Sequence, residues 1–205
     1  IRNHRKIVLI DGTTASTGSQ NMVDPEVFKK DAGVGNWIDI MVKVEGPVVE
    51  SLAGTFISDW SLDADEGDYQ TESLQKDIEK VRHKGDIHPL PIVGQCPIQL
   101  VPSGPGFAPE TIHSLLLTTI YAARRELIMT TPYFIPDEPL LIALKAAAQR
   151  GVEVTINDPQ KNDSRLVHYA SQARFEELAE SGVHIQLFHG GLLHSKTITV
   201  DQSFA

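Results

Sequence analysis

Apolar and polar positions alternate with two periods along this chain, and the switch between them marks out its elements. The run Lys6-Ile-Val-Leu-Ile-Asp11 is short and apolar, and it predicts a buried strand closed by Asp11-Gly12. Thr13 to Asn21 is small and polar, a loop or a return strand. Trp37 to Val44 alternates with period two, placing Ile38, Ile40, Val42 and Val44 on one strand face. After the Gly46-Pro47 turn, Val48 to Trp60 changes to helical spacing, with Val49, Leu52, Phe56 and Trp60 close to one stripe. Asp63, Asp65, Glu66 and Asp68 open a charged stretch that runs to the prolines at 89 and 91, with a helix expected near 72–82; the acidic cluster reads as a solvated loop.

The second half is more regular. Pro97 to Val101 predicts a strand and Pro102 to Gly106 a loop. A helix follows over 110–126, with Ile112, Leu115, Leu116, Ile120 and Ala123 on one face. Then come a strand at 127–131, a helix at 139–150 ended by Gly151, a strand at 152–156 and a helix at 164–180 with Ser164 as its N-cap. Strands at 183–188 and 196–200 complete the order. Alternating strands and helices predict an α/β layer on a largely parallel sheet.

Composition narrows the class. The chain has 205 residues, 41% of them hydrophobic, and a formal net charge of −9. That length supports one large domain or two small ones. The acidic balance speaks against a protein that tracks nucleic-acid phosphates, so no nucleic-acid partner is expected. A single cysteine, Cys96, excludes an internal disulfide framework and a multi-cysteine zinc site. His184, His189 and His194 recur every five residues, which suits neither a helix face nor a strand face as a metal site. Asn162-Asp-Ser164 matches a glycosylation sequon, but a helix cap is the better reading. No apolar run approaches the ~18–20 residues that span a bilayer. The first residue is Ile1, which reads as a piece of a longer protein.

One pattern occurs twice: His4-Arg-Lys6, four residues, Asp11; and His194-Ser-Lys196, four residues, Asp201. Composition alone would place roughly 0.03 such copies in the chain. Residues i and i+2 on a strand share a face, so each histidine projects with its lysine. Each pair joins a group that titrates near neutral pH to a fixed positive charge. Two such pairs suit a phosphodiester. One neutral imidazole attacks phosphorus, and the other, protonated, gives its proton to the leaving oxygen and then takes one from the incoming alcohol or water. Lys6 and Lys196 stabilise the charge growing on the non-bridging oxygens. Asp11 and Asp201, at the far ends of the strands, fit an orienting or structural role. Tyr133, in Thr130-Thr-Pro-Tyr-Phe-Ile-Pro136, follows a strand end where α/β sites gather ligands, so it either packs or lines the phosphate pocket.

These residues resemble the phospholipase D superfamily, whose signature is His-x-Lys-x4-Asp followed by a Gly-Ser…Asn element, here Gly18-Ser-Gln-Asn21. The resemblance gives Ser19 and Asn21 a phosphate-positioning role. It makes His4 the nucleophile, His194 the general acid/base and Asp39 an acidic partner that orients a catalytic histidine. Val23-Asp-Pro25, Val44-Glu-Gly-Pro47, Val101-Pro-Ser-Gly-Pro-Gly106, Thr130 to Pro136 and Leu193-His-Ser-Lys196 look like the bacterial cardiolipin synthase family, and the match covers nearly the whole chain. That family joins two phosphatidylglycerols into cardiolipin and releases glycerol through a phosphatidyl-histidine. The resemblance implies no metal or organic cofactor. It implies an anionic phospholipid substrate, a membrane surface as partner, and a bacterial cytoplasmic membrane location with an anchor upstream of Ile1. It also implies a two-lobed α/β fold with mixed sheets flanked by helices. Residues 1–62 would then be the C-terminal part of a first lobe, 63–92 a connection, and 93–205 a second lobe up to its motif. Both lobes look truncated: the strands that precede His4 and the second Gly-Ser…Asn element are missing. A phospholipase D-like lipid hydrolase or nuclease, and a non-catalytic membrane-binding relative, are the competing readings; intact His and Lys in both copies speak against the last.

Overall fold

The computed structural model describes residues 3–24, 26, 27, 30–64, 75, 76, 79, 80, 87–104 and 106–205. The elements in chain order are β1 (Ile7–Ile10), β2 (Thr14–Gly18), a 3-10 turn (Lys30–Ala32), β3 (Trp37–Ile38), β4 (Met41–Glu45), α1 (Val48–Ala64), α2 (Thr111–Ala122), β5 (Glu126–Thr130), α3 (Glu138–Gln149), β6 (Glu153–Pro159), α4 (Arg165–Glu180), β7 (His184–Phe188), β8 (Leu192–Leu193) and β9 (Thr197–Val200). They form two compact units, one of Ile1–Gly18 with Met41–Pro102, the other of Ser19–Ile40 with Ser103–Ala205.

The first unit is an antiparallel sheet, β1-β2-β4, carrying α1. The return strand left open by the sequence is β2. Asp11, Gly12 and Thr13 make the hairpin loop, with Asp11 and Gly12 both at positive φ and Thr13 N donating to Ile10 O at 3.1 Å. Ala15, Val49 and Leu52 are buried with Ile7, Leu9 and Val44 against them. The buried stripe of α1 departs from the one expected. Val49 and Leu52 are inside, but the stripe continues through Ala53 and Ile57, while Phe56 and Trp60 are exposed and stack on each other, ring centres 6.5 Å apart. A 3.6-residue period admits either continuation, and the packing of Ile87 on Ala53 and Ile57 selects this one. Residues 97–101 are not a strand: prolines at 97 and 102 bound the segment, and it joins no ladder among the described residues. The expected helix at 72–82 and the acidic cluster fall largely outside the described residues.

The second unit holds a mixed sheet, β7-β6-β5-β9. Strands β5, β6 and β7 are parallel, and β9 runs antiparallel to β5. Its core is Ile120 from α2, Leu141, Leu144 and Ala147 from α3, Leu178 from α4, and Leu127, Val154 and Ile156 from the strands. Helix α2 stops at Ala122, four residues before the predicted end, because Ala123 turns to extended backbone on the way into β5. The Arg150 guanidinium meets the orphan carbonyls of Ile120 and Ala123 at 3.3 and 3.4 Å. Asp137 caps α3 by accepting from Leu140 N at 3.1 Å, and Ser164 caps α4 by accepting from Val167 N. Asn162 donates to Pro132 O at 2.6 Å and accepts from Ser164 N, so the sequon residues serve as a turn and cap.

The predicted strand over 37–44 is divided. Trp37 and Ile38 pair in parallel with Leu192 and Leu193, whereas Met41–Glu45 pair with β2. Asp39 and Ile40 between them belong to neither ladder. Ile38, Ile40 and Val42 are consequently exposed, and Trp37 is the buried residue of the run.

Candidate active site

The short ladder β3–β8 builds the surroundings of His194. Its register pairs Trp37 with Leu192 and Ile38 with Leu193, so the next residues on the two chains are Asp39 and His194. The Ile38 carbonyl accepts from His194 N at 2.8 Å and from Ser195 N at 3.1 Å, which fixes the backbone on which the imidazole stands. Closeness at this ladder depends on Gly191: with φ +134°, a Cβ there would run into the Asn36 carbonyl oxygen, to which Leu192 N donates at 2.9 Å.

His194 is 7% exposed. Its Nδ1 lies 2.6 Å from Asp39 Oδ1. The same carboxylate oxygen accepts from Ser19 Oγ at 2.6 Å, and Ser19 Oγ accepts from Ile40 N at 3.0 Å. Ser19 N donates to Ile40 O at 2.9 Å, so both partners of the carboxylate are held by backbone. An ionised carboxylate only accepts, so it directs a proton to Nδ1 and makes Nε2 the nitrogen of the neutral tautomer that carries the lone pair. The Trp37 ring lies 4.5 Å from the imidazole, centre to centre, and the Tyr133 ring meets it edge-on at 6.4 Å. Tyr133 OH donates to Asp163 Oδ1 at 3.2 Å; burial, with Asp163 adding to it, pushes this phenol up to about 12, so it stays protonated at neutral pH.

Lys196 Nζ donates to the His194 carbonyl at 2.6 Å, which keeps the cation with its histidine. Asp201 turns away from this chemistry. Its carboxylate accepts from the backbone N–H groups of Arg124, Arg125 and Glu126 at 3.1, 2.8 and 3.0 Å, and these bonds, that of Glu126 first, hold it below the usual carboxylate range. Asp201 therefore ties the end of β9 to the start of β5.

In the first unit, His4 is exposed, and Lys6 Nζ donates to its carbonyl at 2.7 Å. Arg5 between them pairs with Asp59 of α1. Asp11 stands in the β1–β2 hairpin loop. Asn21, which belongs to the second unit, is half-buried, and its carbonyl accepts from Val23 N at 2.8 Å. Among the described residues, no three His, Cys, Asp or Glu side chains come together as a metal site, and no helix is long and apolar enough to cross a membrane.

Sequence reasoning passed over three residues here. Trp37 was one end of a strand, and its place against His194 has a signal only in its i, i+2 spacing from Asp39. Asp163 looked like part of a cap. Asp158 lies inside β6 at 4% exposure; burial raises its carboxyl to about 7, opposed by a hydrogen bond from the Phe134 backbone next to Tyr133. No local signal distinguishes it from an outward-facing strand aspartate.

Residues 116–205 match the family model of the cardiolipin synthase phospholipase D-like domain. The chain is 50% identical over 201 residues, 98% of its length, to cardiolipin synthase A of Yersinia pseudotuberculosis serotype O:1b (strain IP 31758) and to that of Yersinia pestis bv. Antiqua (strain Angola). It spans 39% of the length of these curated relatives. Among solved structures, phosphatidylserine synthase of Haemophilus influenzae Rd KW20 aligns over 97% of this chain and 51% of its own, with a TM-score of 0.55 at 17% identity, a likeness of fold. With its doubled motif, its mixed α/β fold and these matches, the chain is similar to cardiolipin synthases with a phospholipase D-like domain.

Proposed function

We propose that this chain carries both reactive motifs of a phosphatidyltransferase that condenses two phosphatidylglycerol molecules into cardiolipin and glycerol. The observation that supports it most is the array Ser19–Asp39–His194, which gives one motif histidine a fixed tautomer, combined with a second intact His-x-Lys pair at His4 and Lys6. In this reading the His4 imidazole attacks phosphorus of the first phosphatidylglycerol. The P–O bond to the glycerol headgroup breaks, and His194 gives the leaving oxygen its proton, releasing glycerol. A hydroxyl of the second phosphatidylglycerol then loses its proton to His194 and attacks the phosphatidyl-histidine. The P–N bond breaks and His4 is regenerated. Lys6 and Lys196 offset the negative charge on the non-bridging oxygens in both steps. Asp39, held by Ser19, keeps the His194 ring oriented and stabilises its imidazolium, and Asn21 serves the phosphate side of the site. Substrate and product are membrane lipids, so the enzyme works at a membrane surface, in bacteria the cytoplasmic membrane.

The test is the full-length protein in mixed micelles with phosphatidylglycerol, its lipid products identified by mass spectrometry. Cardiolipin and glycerol from wild type, lost in His4→Ala and in His194→Ala, are the expected result. Phosphatidic acid alone would make water the acceptor and the protein a hydrolase. No lipid product from a folded protein would overturn both.

A further inference from the structure

The second unit contains a cavity of about 410 Å³ beside the His194 motif. This lies within the ordinary range of small-ligand sites. Its walls are Ile112 and Leu116 of α2, Leu140 and Leu144 of α3, Met129 of β5 and Ile198 of β9. Two further residues of its lining belong to the motif's surroundings: Lys196, whose Nζ is held on the His194 carbonyl, and Tyr133, whose ring meets the imidazole edge-on. Lys196 is the one charged residue among the described residues of the lining. The cavity thus has one cation in its lining, the hydroxyls of Thr130, Thr131 and Thr197, and otherwise mostly apolar side chains. That distribution is complementary to an amphiphile whose anionic group sits at Lys196 and whose hydrocarbon runs inward. It does not suit a sugar or nucleobase, whose many polar atoms would be left without partners on such walls.

We propose that this cavity takes one acyl chain of the phospholipid whose phosphate is handled at His194 and Lys196. The inference rests on the transferase reading above and gives it a chain-length selector. Each methylene withdrawn from water adds binding energy, so a chain that fills the cavity holds the phosphate at the motif, and one too short to fill it gains less. Met129, an unbranched and adaptable side chain in the wall, suits a ligand without a fixed shape.

The experiment compares phosphatidylglycerols with myristoyl and with hexanoyl chains, presented to the full-length protein in the same detergent micelles. Leu116→Trp fills the cavity from the middle of its α2 wall. Ile112→Phe fills it from the preceding turn and guards against misfolding of the first variant, with circular dichroism checking both. The ratio of kcat/KM for the myristoyl over the hexanoyl substrate is expected to fall by about tenfold or more in each folded variant. A ratio unmoved in both, with cardiolipin still formed, would overturn the acyl site and leave the transferase reading standing. Equilibrium binding of the two lipids to His4→Ala protein supplies a readout without turnover. If wild type forms no cardiolipin, but His4→Ala protein prefers the myristoyl lipid and Leu116→Trp abolishes that preference, the acyl site stands and the transferase reading falls. No preference in binding or in turnover would overturn the site, as expected if another part of the protein occupied the cavity.

Discussion

In the first motif copy Lys6 Nζ donates to the His4 carbonyl at 2.7 Å, and in the second Lys196 Nζ donates to the His194 carbonyl at 2.6 Å. The aspartates that close the two copies take the same left-handed backbone, φ 51° at Asp11 and 53° at Asp201. Their surroundings differ. His4 is exposed and precedes β1, which lies in an antiparallel hairpin sheet. His194 is buried, set by a parallel ladder beside Asp39 and against Trp37. The motif therefore carries its own local geometry through a lysine long enough to reach back two residues, although in both copies the histidine and lysine stand just before their strand and not within it. What orients and desolvates the imidazole comes from other parts of the chain.

The largest expected effect tests whether the copies act as a pair. His4→Ala and His194→Ala are each expected to lower cardiolipin formation by about 10⁴-fold, and the double variant to be little worse, because groups that act as a unit are not additive. Substantial activity in His4→Ala would break the pairing and leave the second copy as the whole catalytic apparatus.

Orientation comes next. Asp39→Asn replaces an accept-only carboxylate with an amide that can also donate, so the His194 tautomer is no longer set, and it is expected to lower kcat by about 10³-fold while KM moves little. Ser19→Ala removes one of the two partners of that carboxylate oxygen and is expected to cost about tenfold. Equal changes in kcat and KM would make Asp39 a structural residue. A pH–rate profile shifted on its acidic limb in Asp39→Asn, with unchanged thermal stability, would confirm the positioning role.

The closing aspartates predict a smaller, structural asymmetry. Asp201→Asn weakens a carboxylate that collects three backbone N–H groups, so its thermal midpoint should drop by several degrees, more than that of Asp11→Asn. Because Asp201 sits below the usual carboxylate range in the fold, its contribution is present at neutral pH and lost as pH falls through that lowered value. The gap between wild type and Asp201→Asn should therefore narrow in acid; a gap constant with pH would refute this account.

Asp158 gives the smallest effect and the opposite sign. Its folded value of about 7 lies above the ordinary 3.8, so the fold favours the protonated form. Stability associated with it is full below about pH 4 and declines as pH rises toward 7. Asp158→Asn should lose this slope and, above pH 7, unfold at a higher urea concentration than wild type. An unchanged slope would mean that the carboxyl ionises without penalty.

Much of this protein was legible in its sequence, and the parts that were not share a cause. Helices α3 and α4 were readable almost to the residue because their caps are local: Asp137 and Ser164 bond to N–H groups three residues on, and Gly151 and Gly182 take positive φ just past the ends. The doubled motif was readable because it is a spacing of residue types, and within each copy the lysine bonds to the histidine carbonyl two residues back. Sequence could not divide the run 37–44, because Trp37–Ile38 and Met41–Glu45 owe their separation to partners about 155 and 25 residues away in the chain. It could not choose between the two possible faces of α1, set Ser19 on the Asp39 carboxylate, or bury Asp158. Residue types and their spacing determined which groups are available for phosphoryl transfer. Tertiary structure decided which of them is dry, which tautomer is favoured and where an apolar cavity opens beside a lysine, because burial and pairing are properties of surfaces that meet only when distant segments pack.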